Sequence, residues 1–236
     1  GCVEKEILRQ AQSVFNSGKP KLMVYDGRYR LGCEGILYIL IEVFDPEEGF
    51  YEAFEKQCAS RKSFQIKSYF SKKEKDRFKG GSTFVLNNQS FKINFHSEPV
   101  EELSIFEQAI KPSFQLIIVG SEHDSVELCR FASNIGWEVN IVAPPNDPKN
   151  IHNFSGATNY YGIDEKEFEN ISYDNQTAIV FMTHSYVKDV KYVSAARNMN
   201  VSYLGLLGPS KRREKLINEL LERYEDIDDM FFDKLH

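Results

Sequence analysis

Leu116-Ile117-Ile118-Val119-Gly120-Ser121-Glu122-His123-Asp124 decides how this chain is read. The four apolar residues Leu116–Val119 read as a strand. A glycine follows at once, and from Val126 to Ile135 the apolar positions take helical spacing until Gly136 ends it. Strand, tight turn and helix in this order open a nucleotide-binding α/β fold.

The alternation continues downstream. Val139–Val142, Ala178–Met182 and Val201–Leu207 read as further strands, and Lys188–Asn198 and Ser210–Arg223 as helices, so a parallel sheet with right-handed crossovers is expected. Upstream the pattern differs. Ile7, Leu8, Ala11, Val14 and Phe15 mark a helix closed by Gly18 and Pro20, and Leu22–Tyr25 reads as a strand. Ile36–Ile41, apolar on both faces, reads as a buried strand; Phe50–Cys58 reads as a short helix, and Phe64–Phe70, Thr83–Leu86 and Ser90–Phe95 as strands. Asn87-Asn88-Gln89 joins the last two as a hairpin, and Lys72–Lys79 reads as a solvated loop or edge. The fold class is α/β: a smaller α+β domain over 1–98, a linker over 99–112 within the acidic, proline-bearing stretch His96–Pro112, and a Rossmann-like domain over 113–236.

The turn at Gly120 is poorly made for an ordinary dinucleotide. A Gly-x-Gly-x-x-Gly turn lets backbone approach pyrophosphate at a helix N-terminus. Here Glu122 takes the second glycine's place and Asp124 adds a second carboxylate. The acidic residue that would hold a ribose should close the second strand, where the chain reads Ala143-Pro144. NAD(P) is therefore not expected. His123 reads equally as a site residue or as a local capping or packing residue.

The last turn is a better anion site. In Tyr203-Leu204-Gly205-Leu206-Leu207-Gly208-Pro209-Ser210-Lys211-Arg212-Arg213, Gly208 and Pro209 break the strand and Ser210 is a natural N-cap. Lys211, Arg212 and Arg213 then crowd a helix start that disfavours cations, a cost that a bound anion would offset. A basic surface turn paired with nearby acids is the competing reading. Met182-Thr183-His184 ends a strand on the same edge of the sheet. Gly120, His123, Thr183, His184 and Gly208 should thus be neighbours, since ligands of open α/β sheets bind outside the carboxyl ends of the strands.

Composition narrows the classes further. A net charge of −6 over 236 residues argues against non-specific nucleic-acid binding. The four cysteines, Cys2, Cys33, Cys58 and Cys129, form no Cys-x-x-Cys pair and have no histidine at ligand spacing. They read as a reduced, cytoplasmic set. With no signal-peptide pattern and no twenty-residue apolar run, no membrane association is expected.

Taken in order, Gly1-Cys2-Val3-Glu4, Leu31-Gly32-Cys33-Glu34-Gly35, Leu116–Val119 with Gly-x-x-His, Met182-Thr183-His184 and Tyr203–Gly208 with its basic helix start resemble the xanthine dehydrogenase accessory protein family, XdhC/CoxI. The resemblance covers nearly the whole chain. It implies a chaperone that binds the molybdenum cofactor (molybdopterin), assists its sulfuration by a cysteine desulfurase and delivers it to a xanthine-dehydrogenase-like molybdoenzyme. It also implies a binding and delivery role rather than catalysis, a capacity for homo-oligomers, and further segments ahead of Gly1 and beyond His236. Glu122 departs from the family's usual Gly-x-Gly-His turn. Cys2 and Cys33, each beside glycine, are the candidate molybdenum or sulfur-transfer thiols, because molybdenum favours thiolate and glycine leaves room for a bulky ligand. Gly120, His123, Thr183, His184, Gly208, Ser210, Lys211, Arg212 and Arg213 are the candidate cofactor-binding residues, with the Gly208 turn taking the phosphate. Two other readings stay open: an NAD(P)-dependent oxidoreductase with a degenerate turn, and a non-binding scaffold between enzyme and desulfurase.

Overall fold

The computed structural model describes residues 2–28, 35–71, 80–94, 103–224, 227 and 229–236, with backbone alone for Cys2, Asp229 and Met230. The chain forms two compact units, Gly1–Pro112 and Ser113–His236.

In the first unit, α1 (Cys2–Ser17) sets Ile7, Ala11 and Val14 on one face by helical spacing. Gly18, at φ +66°, ends it by donating its N–H to Val14 O at 2.8 Å. This face packs on an antiparallel pair, β1 (Lys21–Asp26) and β2 (Ile36–Ile41), through Met23, Ile39 and Ile41. The expected burial of Ile36–Ile41 on both faces is not found. Val24, Ile36 and Tyr38 are exposed, because α1 covers one face of the two-stranded ribbon and these residues lie on the other.

The rest of the unit is a four-stranded antiparallel sheet in the order β5-β4-β3-β6, built from β3 (Phe64–Phe70), β4 (Gly81–Leu86), β5 (Gln89–Lys92) and β6 (Ser104–Ile110). Helix α2 (Phe50–Ala59) covers one face with an aromatic cluster in which Phe50 meets Phe84 edge-on at 5.4 Å and stacks on Phe54 at 5.5 Å. Asn87 and Asn88, at φ +46° and +66°, form the two-residue turn between β4 and β5, so Gln89 belongs to the strand and not to the turn. Buried Gln57 ties α2 to this turn: its Nε2 donates to Lys62 O at 2.9 Å, and its Oε1 accepts from Asn87 N at 3.0 Å. Residues 104–110, read from sequence as part of a linker, form the edge strand β6. Pairing with β3 supplies order that local composition does not announce, including the facing pair Lys67–Glu107 at 3.0 Å. The stretch Lys72–Lys79 lies outside the described residues.

The second unit is a five-stranded parallel sheet, order β11-β10-β7-β8-β9, from β7 (Gln115–Val119), β8 (Glu138–Ala143), β9 (Ala157–Gly162), β10 (Thr177–Phe181) and β11 (Tyr203–Leu206). Every residue of β7 is buried, the polar Gln115 included. Leu116 and Ile118 face α3 (His123–Asn134) through Cys129 and Ala132. Ile117 and Val119 face α5 (Tyr186–Ala195) and α6 (Ser210–Arg223) through Val193, Leu216 and Leu220. Burying one such aliphatic side chain is worth about 1.5–3 kcal/mol, so the two layers account for most of this unit's cohesion. The short α4 (Glu165–Phe168) and edge strand β9, with its polar Thr158 and Asn159, carry too little apolar pattern to be read from sequence. After α7 (Asp229–Lys234) the backbone of His236 pairs with β11, accepting from Leu206 N at 2.8 Å and donating to Leu204 O at 2.9 Å.

Candidate functional site

Counted from β7, the strand order is the doubly wound one, and the chain leaves β7 toward β8 on one side and β10 on the other. The carboxyl ends of β7 and β10 therefore flank the crevice in which such sheets bind ligands. Gly120 sits there at φ +141°, and a Cβ on it would lie 2.4 Å from Met182 O and 2.7 Å from Met182 C. Only glycine permits this approach. Ser125, which occupies the third glycine's place in a dinucleotide turn, is fully buried, so a side chain fills that position too.

The Ser121 hydroxyl and carbonyl in the turn are already used within the protein. The loop after β8 folds back so that Asp147 accepts from Ser121 Oγ at 2.5 Å and from Lys149 N at 2.9 Å, while Lys149 Nζ donates to Ser121 O. Burial alone would raise the Asp147 carboxyl. Hydrogen bonds from Ser121 and Lys149 and the Lys149 charge outweigh burial and hold it below the usual carboxylate range. Ala143 is buried at the end of β8, with no acidic side chain to meet a ribose.

Two further links tie the loops together. His184 Nε2 lies 2.7 Å from Asp124 Oδ2, joining the loop after β10 to the start of α3, with His184 in the left-handed region at φ +57°. Both side chains are well exposed, so the link orders the loops more than it stabilises them. The second link is buried. Asp189, 0% exposed, accepts from Thr183 Oγ1 at 2.6 Å and from Thr183 N at 3.3 Å, and its other oxygen accepts from Arg212. The Arg212 stem lies against Gly208, where a Cβ would come within 2.8 Å of Cδ, and Arg212 Nε is buried with no acceptor among the described residues.

The structure brings Gly120, Thr183, His184, Gly208 and Arg212 to one edge of the sheet, with His123 exposed as the first residue of α3. It alters three expectations at the last turn. The N-cap of α6 is Pro209, with no side-chain cap, and Ser210 is the exposed first helical residue, because the extended backbone falls one residue earlier. Arg213 is turned to the chain's end, where Nε donates to Leu235 O at 2.7 Å and a terminal nitrogen to Phe232 O at 3.3 Å. Arg212 is half-committed to Asp189, which leaves Lys211 as the exposed cation of this turn. Cys33 and the Cys2 side chain lie outside the described residues; Cys58 is exposed, and Cys129 is buried, which pushes its thiol up. Among the described residues no group of three or more His, Cys, Asp or Glu side chains could hold a metal ion, and no helix is long and apolar enough to cross a membrane.

Sequence reasoning missed Asp189, Asp147 and Lys149. Nothing in their local pattern marks them, since each acts on a residue brought near by the sheet. The edge as built offers backbone-lined turns, a guanidinium with an unused N–H and two acidic groups beside the first turn. It suits a single oxyanion at the Gly208–Arg212 side and opposes pyrophosphate at the Gly120 side.

The chain resembles a protein of Bacillus subtilis (strain 168) described as a probable component of xanthine dehydrogenase, 22% identical over 245 residues, spanning 92% of this chain and 72% of that one. It also resembles the crystal structure of a xanthine dehydrogenase from Bacillus halodurans with a TM-score of 0.74 at 24% identity, over 92% of this chain and 70% of that one. The model of the XdhC Rossmann domain matches residues 116–236. The chain belongs to the XdhC family of xanthine dehydrogenase accessory proteins.

Proposed function

We propose that this chain binds the molybdenum cofactor, supports its sulfuration and delivers it to a xanthine-dehydrogenase-like molybdenum hydroxylase in the cytoplasm, working with a cysteine desulfurase and as a homo-oligomer. The observation that carries the reading is the carboxyl edge of an XdhC Rossmann domain on which Arg212 keeps an N–H without an acceptor among the described residues, beside the Gly208 turn. This fits the anionic end of a pterin phosphate. The cofactor, when bound, supplies the metal centre that accepts sulfur. On this reading Arg212 and Lys211 meet the phosphate, and the backbone at Gly120 and Thr183 lines the crevice. Cys2 and Cys33 are the thiols assigned to the metal end.

Hydride transfer with NAD(P) is disfavoured on three counts: Glu122 is in the second glycine's place, Ser125 fills the third, and the Ser121 hydroxyl and carbonyl are taken by Asp147 and Lys149. The test is retention. The chain is mixed with molybdenum cofactor released from a donor molybdoenzyme, separated by gel filtration, and assayed for molybdenum and pterin and for transfer to an apo-hydroxylase. Co-elution of both, reduced in Cys2→Ala or Cys33→Ala, is expected. Elution of the chain free of both would refute the proposal.

A further inference from the structure

Asp189 has no place in the reading above, yet it is the most committed charged group at this edge. Its carboxylate is fully buried, one oxygen takes both the hydroxyl and the backbone N–H of Thr183, and the other takes Arg212. Replacing a buried ion pair with apolar groups is often neutral or stabilising, so stability is a weak reason for placing one here. The network is also one acceptor short, because Arg212 Nε is buried without a partner among the described residues. A half-satisfied buried network is costly unless something completes it. The flanking groups point the same way: Arg212 lies over the Tyr186 ring at 5.9 Å, and Tyr186 OH donates to Glu219 at 2.7 Å, so the guanidinium is held from its side as well.

We infer that Asp189 is a positioning residue for the ligand, locking Thr183 of the β10 loop and Arg212 of the α6 turn into one rigid unit that presents the accessible part of the Arg212 side chain to a single oxyanion. This role rests on the cofactor-binding reading. It falls to a group that touches no ligand itself and acts only through its two partners.

The test is a titration of the full chain, Asp189→Asn, Arg212→Lys and the double variant with molybdenum cofactor from a donor molybdoenzyme, with unfolding midpoints measured on the same preparations. Each single variant, folded at the assay temperature, should bind about tenfold more weakly, the loss expected for one aligned charge-assisted hydrogen bond. The double variant should bind no more weakly than the worse single one, since both break the same unit. Wild-type affinity in Asp189→Asn, with only a lowered midpoint, would make Asp189 structural and overturn this inference while leaving cofactor binding intact. No binding by the unsubstituted chain would overturn both. Should Asp189→Asn not fold, Arg212→Lys decides, because it keeps the charge but loses the planar fork, and wild-type affinity there sinks the proposal.

Discussion

Gly120→Ala tests whether the close approach of β7 and β10 is what demands glycine in the first turn. The backbone at φ +141° is strained for any side chain, by about 1–3 kcal/mol. The added Cβ would lie 2.4 Å from Met182 O. An ordinary C···O contact is about 3.3 Å, so the strands must part by roughly 1 Å. That movement loads two bonds on either side, Gly120 N to Val142 O and Met182 N to Val119 O, both 2.8 Å, each worth about 1 kcal/mol net. The expected loss is about 3–5 kcal/mol, a large share of a domain stability of about 5–15 kcal/mol. Gly136→Ala is the control: it also has positive φ, +85°, but nothing within 4 Å of its Cβ, and should lose only about 1–2 kcal/mol. Trp137, the chain's single tryptophan, lies in this unit with its ring 4.7 Å from Phe114, so its fluorescence reports unfolding of the parallel-sheet domain. In urea the Gly120→Ala midpoint should fall by about 2 M and that of Gly136→Ala by less than about 1 M, with slopes unchanged. Equal losses in the two variants would refute the argument from close approach.

Alkaline stability should depend on Tyr192. Burial first, then the carboxylates of Glu165 and Asp164, push its hydroxyl up to about 12. The unfolded chain ionises its tyrosines near pH 10, so stability is full below about pH 10 and is lost as pH rises toward about 12, by about 2–3 kcal/mol for this group. Tyr160 and Tyr186 are held up to about 12 as well, so Tyr192→Phe should make that limb shallower by its own share while costing about 1 kcal/mol at neutral pH, because Ile163 O loses a donor at 2.7 Å; an unchanged alkaline limb would contradict the assignment. At the acid end Asp147, with its lowered pKa, contributes stability above the ordinary carboxylate value that is lost as pH falls through the folded one. Asp147→Asn should be less stable at pH 7 and no worse than the parent at the lowest pH, as read by pH-dependent melting. An NADH fluorescence titration should show no saturable binding to the chain or to Glu122→Gly, since the Ser121 groups stay occupied and Ser125 still fills the third glycine's place. Saturable binding by Glu122→Gly alone would show that one carboxylate carried the exclusion.

By itself the sequence determined the elements and their burial wherever the cause is local. Leu116–Val119 read as a strand, Ser210–Arg223 carried its own helical stripe, and the paired asparagines at 87 and 88 selected a tight turn. Periodicity and turn chemistry are properties of neighbours along the chain, so these could be read directly. Their positions just after parallel strands likewise placed Gly120, Thr183, His184 and Gly208 at one sheet edge. Tertiary structure alone decided which charges face one another. Arg212 and Arg213 are adjacent and chemically alike, yet one meets Asp189 under the β10 loop and the other the carbonyls of residues 232 and 235. It also decided that β6 joins a sheet despite its composition, and that Ile36–Ile41 is covered on one face only. An apolar face or a charge specifies that it needs a partner; which partner it finds is set by how distant segments pack, and no local pattern records that.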